Sequence, residues 1–180
     1  MELEDSKLIA RVLADDDRHA FSQLVLRHQS QIRVLLRRLT GGDEALADDL
    51  AQETFLRAYR GLGRYRGDSK FSTWLYRIAT NVYLSDRRKR RPEPSDAVES
   101  TASAEPAVDG RSAFRHDLER AMSALPEQER VAIALAYAEE ATHEDIALTM
   151  GLPLGTVKSA ILRGKEKLRR SLRAWAPART

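Results

Sequence analysis

Residues 92–112 read PEPSDAVESTASAEPAVDGRS, with three prolines among Ser, Ala, Glu and Asp and almost nothing to bury. A stretch so poor in apolar side chains cannot offset the entropy lost on ordering. It is also longer than a structureless loop inside a compact domain usually runs. It therefore reads as a disordered, flexible linker. On both sides of it, apolar residues recur at helical spacing. The expected fold is all-α: two small helical domains, 1–91 and 113–180, joined by linker 92–112.

Within the N-terminal half, Ser6 is placed to cap a short first helix carrying Leu8, Ile9 and Leu13. A second helix is predicted over about 18–39, with Phe21, Leu24, Val25, Ile32, Leu35 and Leu36 on one face. Thr40-Gly41-Gly42-Asp43 stops it, with glycine available for the left-handed turn. A third helix over 43–61 offers Leu46, Leu50, Phe55, Tyr59 and Leu62 as its buried side. Residues 61–69, GLGRYRGDS, form a loop. A fourth helix runs from near Ser69 to just before Pro92.

Hydrophobic residues make up 42% of the 180, enough for a core, and charged residues 32%. The net charge is only +3, with a pI of about 9.3, so placement of charge must decide whether nucleic acid is a partner. There is no cysteine, which excludes disulfides, thiolate metal sites and cysteine catalysis and fits a reducing compartment. The acidic start MELEDSKLIARVLADDD is unlike a signal peptide, and no apolar run approaches the roughly 18 residues of a membrane span. A cytoplasmic protein without membrane insertion is expected.

Residues 142–172, THEDIALTMGLPLGTVKSAILRGKEKLRRSL, carry a helix-turn-helix pattern. Thr142 is a natural N-cap, with Glu144 and Asp145 in the first turn. Small Ala147 and Gly151 permit a close crossing and a turn, and Pro153 suits the start of the next helix. Leu154, Val157, Ile161, Leu168 and Leu172 then form an apolar stripe. The opposite face shows Gly155, Thr156, Lys158, Ser159, Arg163 and Lys165, small and cationic side chains suited to a major groove.

In the fourth helix, Phe71, Trp74, Leu75, Ile78 and Val82 face the core. Thr73, Arg77, Asn81, Leu84 and Arg88 form a second row that ends in the cations 87–91. Amide and guanidinium beside a cationic tail suit a nucleic-acid strand. The preceding YRGDSKF can form a pocket for an extruded base. On the third helix, Leu56 stands among Asp48, Asp49, Gln52, Glu53, Arg57 and Arg60, a pattern that suits protein docking.

Together these elements resemble bacterial extracytoplasmic-function (ECF) sigma factors of the sigma-70 family. DDLAQETFLRAY (48–59) resembles their core-polymerase-binding segment, and FSTWLYRIATNVYLSDRRKRR (71–91) their −10 recognition and melting helix. LPEQERVAIALAY (125–137) with THEDIALTMGLPLGTVKSAILRGKEKLRR (142–170) resembles their −35-binding domain. The resemblance implies an alternative sigma factor that docks on the clamp coiled coil of the polymerase's largest subunit and rests on its flap. Asp48, Asp49, Gln52, Glu53, Leu56 and Arg57 would bind polymerase. Tyr65, Arg66, Asp68, Ser69, Lys70, Thr73, Arg77, Asn81, Arg87 and Arg88 would hold the unpaired −10 strand. Thr142, Pro153, Gly155, Thr156, Lys158, Ser159, Arg163 and Lys165 would serve the −35 groove. An anti-sigma partner is implied as well. Where the family commonly has an arginine, Ala160 stands, implying a missing base or phosphate contact.

No cofactor or metal is expected. The four histidines, His19, His28, His116 and His143, are scattered, and His143-Glu144 lacks a second histidine one turn on. A dimeric regulator of duplex DNA would account for the helix-turn-helix but not for the features of the N-terminal half. The sigma-like chain is expected to be a monomer when free.

Overall fold

The structure, a computed structural model, describes residues 2–90, 110–138 and 141–175. Most of the expected linker, 92–109, lies outside the described residues, as do Arg91 and the 176–180 tail. The described residues form eight α-helices, two 3-10 turns (Leu62–Arg64 and Arg173–Trp175) and no strand.

Helix α1 (Glu2–Asp15) is longer than its pattern suggests. Ser6 lies inside it and so is not its N-cap, and Leu13 is 51% exposed, so neither takes the place its position predicts. The buried stripe is Leu8, Ile9 and Val12, with Asp5 one turn earlier. Asp5 can be buried because the Nε2 of His28 lies 2.9 Å away and Arg27 donates to it at 3.1 Å.

Helix α2 (Arg18–Leu39) is capped by Asp17, whose carboxylate accepts the Ala20 N–H at 2.9 Å. Asp43 caps α3 (Glu44–Gly61) in the same way through Leu46. The buried stripe of α3 is Ala47, Leu50, Ala51, Thr54 and Ala58; of the expected side, Leu50 and Leu62 are buried, while Leu46, Phe55 and Tyr59 are only half-buried. Alanines let α3 lie close to its neighbours, while Phe55 and Tyr59 spread along the margin, where Tyr59 meets Phe21 edge-on. Thr54 is tolerated inside because its hydroxyl donates to the Leu50 carbonyl at 2.7 Å. Helix α4 (Phe71–Arg90) then crosses both α2 and α3.

Helix α5 (Gly110–Ser123) starts inside the stretch expected as linker, so residues 110–112 are helical. Helix α6 (Glu127–Ala136) is the centre of the C-terminal half and is buried continuously from Glu129 to Leu135. It is covered by α7 (His143–Met150) and α8 (Leu154–Ser171). The helices come close at Gly164, where an added Cβ would lie 2.7 Å from Cγ1 of Ile133. Gly164→Val should therefore cost about 1–3 kcal/mol through overpacking, more than the gain in helix propensity. Thermal melting checks this; an unchanged transition would mean that α6 and α8 separate freely.

The two halves pack on each other. Helix α2 meets α5 and α6, and α4 meets α7. Between these surfaces α4 is covered on two sides, which buries Tyr76 and Tyr83 as well as the expected Phe71, Leu75 and Val82.

Candidate nucleic-acid interface

Thr142 caps α7 in a reciprocal box: its hydroxyl accepts the Asp145 N–H at 3.1 Å, and Asp145 accepts the Thr142 N–H at 3.0 Å. Burial pushes the Asp145 carboxyl up, but hydrogen bonds from Thr142 and Thr73 and the charge of Lys70 outweigh it, leaving its pKa below the usual range. Gly151 ends α7 with φ +64, a left-handed turn that glycine makes without strain. Pro153 is the N-cap of α8, one position before its first helical residue. The axes of α7 and α8 differ in direction by 104°.

The start of α8 faces outward. Gly155, Lys158 and Ser159 are exposed, and Thr156 is half-buried. Arg163 and Lys165 lie at the edges of this face. Arg163 sits 3.4 Å from buried Glu129, which also holds Lys167 at 2.9 Å, and Lys165 lies over the Tyr137 ring. Both cations thus help fasten α8 to α6.

On α4, Arg77, Asn81 and Arg88 are exposed, as the row predicts. Thr73 departs from the row. It is only 5% exposed and its hydroxyl donates to Asp145 at 3.2 Å, so in this arrangement it faces α7 and not solvent. Arg87 is exposed but engaged: it donates to the Tyr83 hydroxyl at 3.0 Å and pairs with Glu127 at 3.1 Å. The loop before α4 is organised by aromatics. The Tyr65 ring packs against Phe71 and Trp74, and its hydroxyl donates to the Ser69 carbonyl at 2.6 Å. Arg66, Asp68 and Lys70 remain on the outside, with Ser69 half-buried.

On α3, Asp48, Asp49, Gln52, Leu56 and Arg57 are exposed, and Glu53 is half-buried and paired with Arg57 at 2.6 Å. Asp48 pairs with Arg33 of α2 at 3.0 Å. Leu56 is 52% exposed and borders an apolar groove between α2 and α3 that Phe21, Val25 and Phe55 line.

Residues 24–93 match the Sigma-70 region 2 family, and residues 115–168 match Sigma-70, region 4. The chain is 39% identical over 183 residues to the RNA polymerase sigma-H factor of Pseudomonas aeruginosa, covering 94% of each. To the ECF RNA polymerase sigma-E factor of Escherichia coli (strain K12) it is 36% identical over 182 residues, covering 93% of each. The chain belongs to the ECF sigma factors of the sigma-70 family.

Solved structures agree with this membership. CnrH in complex with the cytosolic domain of CnrY is similar with a TM-score of 0.73 and 25% identity, over 96% of this chain and 99% of that one. The sigma factor RpoE in complex with the anti-sigma factor NepR, from Bartonella quintana, is similar with a TM-score of 0.67 and 25% identity, over 85% and 96%. The protein is thus an alternative sigma factor, a transcription initiation factor. No single helix among the described residues is long and apolar enough to cross a membrane.

Two features of this sigma factor were not legible from its motifs. Ala160 is fully buried on the stripe with Val157, Ile161 and Gly164. Position 160 therefore serves packing in this chain. Leu162 was missed: it is 69% exposed, one turn beyond Lys158 on the outward face. A bare leucine there can pack on a thymine methyl. Its four-residue spacing from Lys158 was the available signal, but a leucine in a helix reads as core.

Proposed function

We propose that this sigma factor docks on core RNA polymerase through α3, holds the melted −10 strand on α4 and its preceding loop, and reads the −35 duplex with α8. The observation that carries this is the exposure, on one chain, of Leu56 among carboxylates and of the Arg77–Asn81 row, beside a separate outward Gly155–Lys158–Ser159 face. The polymerase surface comprises the α3 residues from Asp48 to Arg57, against the clamp coiled coil, with the C-terminal domain on the flap. Melting is driven by capture: stacking and hydrogen bonds to flipped bases offset the few kcal/mol of unstacking. No covalent chemistry by this chain is required. The two domains are 1–91 and the part from α5 onward, with α5 moving the expected start from 113 to 110, working in the cytoplasm as a monomer until polymerase is bound. An anti-sigma factor is the proposed regulator, supported by the similarity to RpoE, which is solved with NepR.

The test is reconstituted transcription. Purified chain is added to sigma-free core polymerase on pooled genomic promoters, and transcript 5′ ends are sequenced. Discrete starts that share −35 and −10 motifs are expected; absence of core binding would sink the proposal. Lys158→Ala should lower affinity for the resulting −35 duplex. A base contact would carry about 1–3 kcal/mol of discrimination. Uniform loss across sequences, with a smaller salt slope, would make Lys158 a phosphate contact.

A further inference from the structure

A cavity of about 560 Å³ lies where α2 meets α5, α6 and α8. Of the residues assigned to DNA or polymerase, only Lys165 reaches it. Much of its lining is apolar. Met122 of α5 and Ile133 of α6 are buried there, and Leu118, Leu168 and Leu172 are half-buried. Val34 of α2 adds an apolar side chain that is 45% exposed. The volume lies within the roughly 300–1,000 Å³ of small-molecule sites.

The rest of the lining is cationic. Five cations reach the cavity: Arg37 and Arg38 of α2, Arg115 of α5, and Lys165 and Arg169 of α8. Glu119 is its single carboxylate. Arg37 already holds Glu119 at 3.4 Å and pairs with Glu44 as well. Among the described residues, the other four cations make no ion pair. Arg38 donates to the Tyr137 carbonyl at 2.7 Å, and Lys165 lies 5.6 Å from the centre of the Tyr137 ring. Arg115 and Arg169 are exposed, and the charge of Arg169 reaches Glu166 only beyond ion-pair distance.

Arg38 is the informative member. Burial holds its guanidinium below the usual arginine pKa, and only the phenols of Tyr76 and Tyr137 push it back. Arginine stays charged throughout. A half-buried guanidinium without a counter-charge favours any anion that can reach it.

No Ser, Thr, Asn or Gln lines the cavity. A nucleotide or a sugar would find few groups there to meet its base edges or hydroxyls. The lining offers apolar area and positive charge. That combination fits an apolar chain with one anionic head.

We infer that this cavity is a binding site for a single-chain fatty acid. The chain lies against Met122, Ile133, Leu168 and Leu172. The carboxylate meets Arg115 and Arg169, whose forked N–H donors match its two oxygens, and Arg38 adds positive potential from α2. Burial of the chain drives binding, and the cations select the head. The inference stands on the cavity alone and uses neither the DNA nor the polymerase assignment.

The test titrates the full chain, without DNA or polymerase, with a dansyl-labelled undecanoate whose emission rises in an apolar site. Dodecanoate, kept below its micelle concentration, should displace the probe. Dodecylamine has the same chain length and the opposite charge, and should compete about tenfold or more weakly. Arg115→Glu with Arg169→Glu should weaken probe binding about tenfold or more. Arg115→Lys with Arg169→Lys keeps the charge but loses the forked donors, and its affinity should fall between those two proteins. Val34→Trp sets an indole into the cavity from a half-exposed position and should also cost about tenfold or more.

Equal competition by dodecylamine, or unchanged affinity of the Glu pair, would overturn the fatty-acid assignment. Full binding by Val34→Trp would place the ligand elsewhere and overturn the site. Thermal melting confirms that each variant is folded, and dodecanoate should raise the Tm of the parent, since it binds only the folded chain. If the Glu pair melts early, the Lys pair and Val34→Trp decide the question.

Discussion

Leu56→Asp combined with Glu53→Lys is expected to weaken association with core polymerase by about 30-fold or more, the scale of a hot-spot loss of roughly 2 kcal/mol. Leu56 is half out of its own domain and borders the apolar groove between α2 and α3. An aspartate there puts charge where a partner's apolar side chain would have to be desolvated. Glu53→Lys reverses the sign beside it and removes a surface pair with Arg57 worth no more than about 1 kcal/mol. Folding should hardly change, because surface substitutions usually stay within about 0.5 kcal/mol. The check is a pull-down beside thermal melting. A fall in Tm of roughly 10 °C or more would mean that Leu56 serves the core and not the partner.

Asn81→Ala is expected to impair promoter opening while core binding holds. Asn81 is exposed on α4 between Arg77 and Arg88, on the side that borders the α6–α7 crevice. Its amide can pair with a base edge, a contact worth about 1–3 kcal/mol, so open-complex formation should fall about 5- to 150-fold. Alanine is the better helix former, so instability cannot supply the loss. Permanganate reactivity of unpaired thymines measures the opening. Equal loss of core binding, or full opening by the variant, would remove Asn81 from the −10 surface.

The helices were legible in the sequence because their signals are local. Thr142 caps α7 and Gly151 takes the left-handed turn, as expected, and Leu24, Ile32, Leu35 and Leu36 of α2 and Val157 and Ile161 of α8 are buried as their spacing predicts. The helix-turn-helix and the outward Gly155, Lys158 and Ser159 needed no tertiary information. The extra length of α1 did, because burial of Asp5 depends on His28 and Arg27 more than twenty residues away.

What tertiary structure decided is which of several possible faces each helix buries, and against what. Periodicity favours large side chains inside, so α3 was expected to bury Phe55 and Tyr59; close packing on α2 and α4 selects its alanines instead. Gly164 looks neutral in sequence and becomes the point where α8 crosses α6. Thr73 and Arg87 read as free to meet DNA, yet their partners are Asp145 and Glu127 in the other half. A pattern within one helix determines that a side chain is on a given side; it carries no information about a surface that arrives from the far side of residues 92–112. The sequence by itself therefore determined most of the helices, both ends of α7 and the chemistry each face offers. The packing of the two halves decided which of those faces the free protein leaves open.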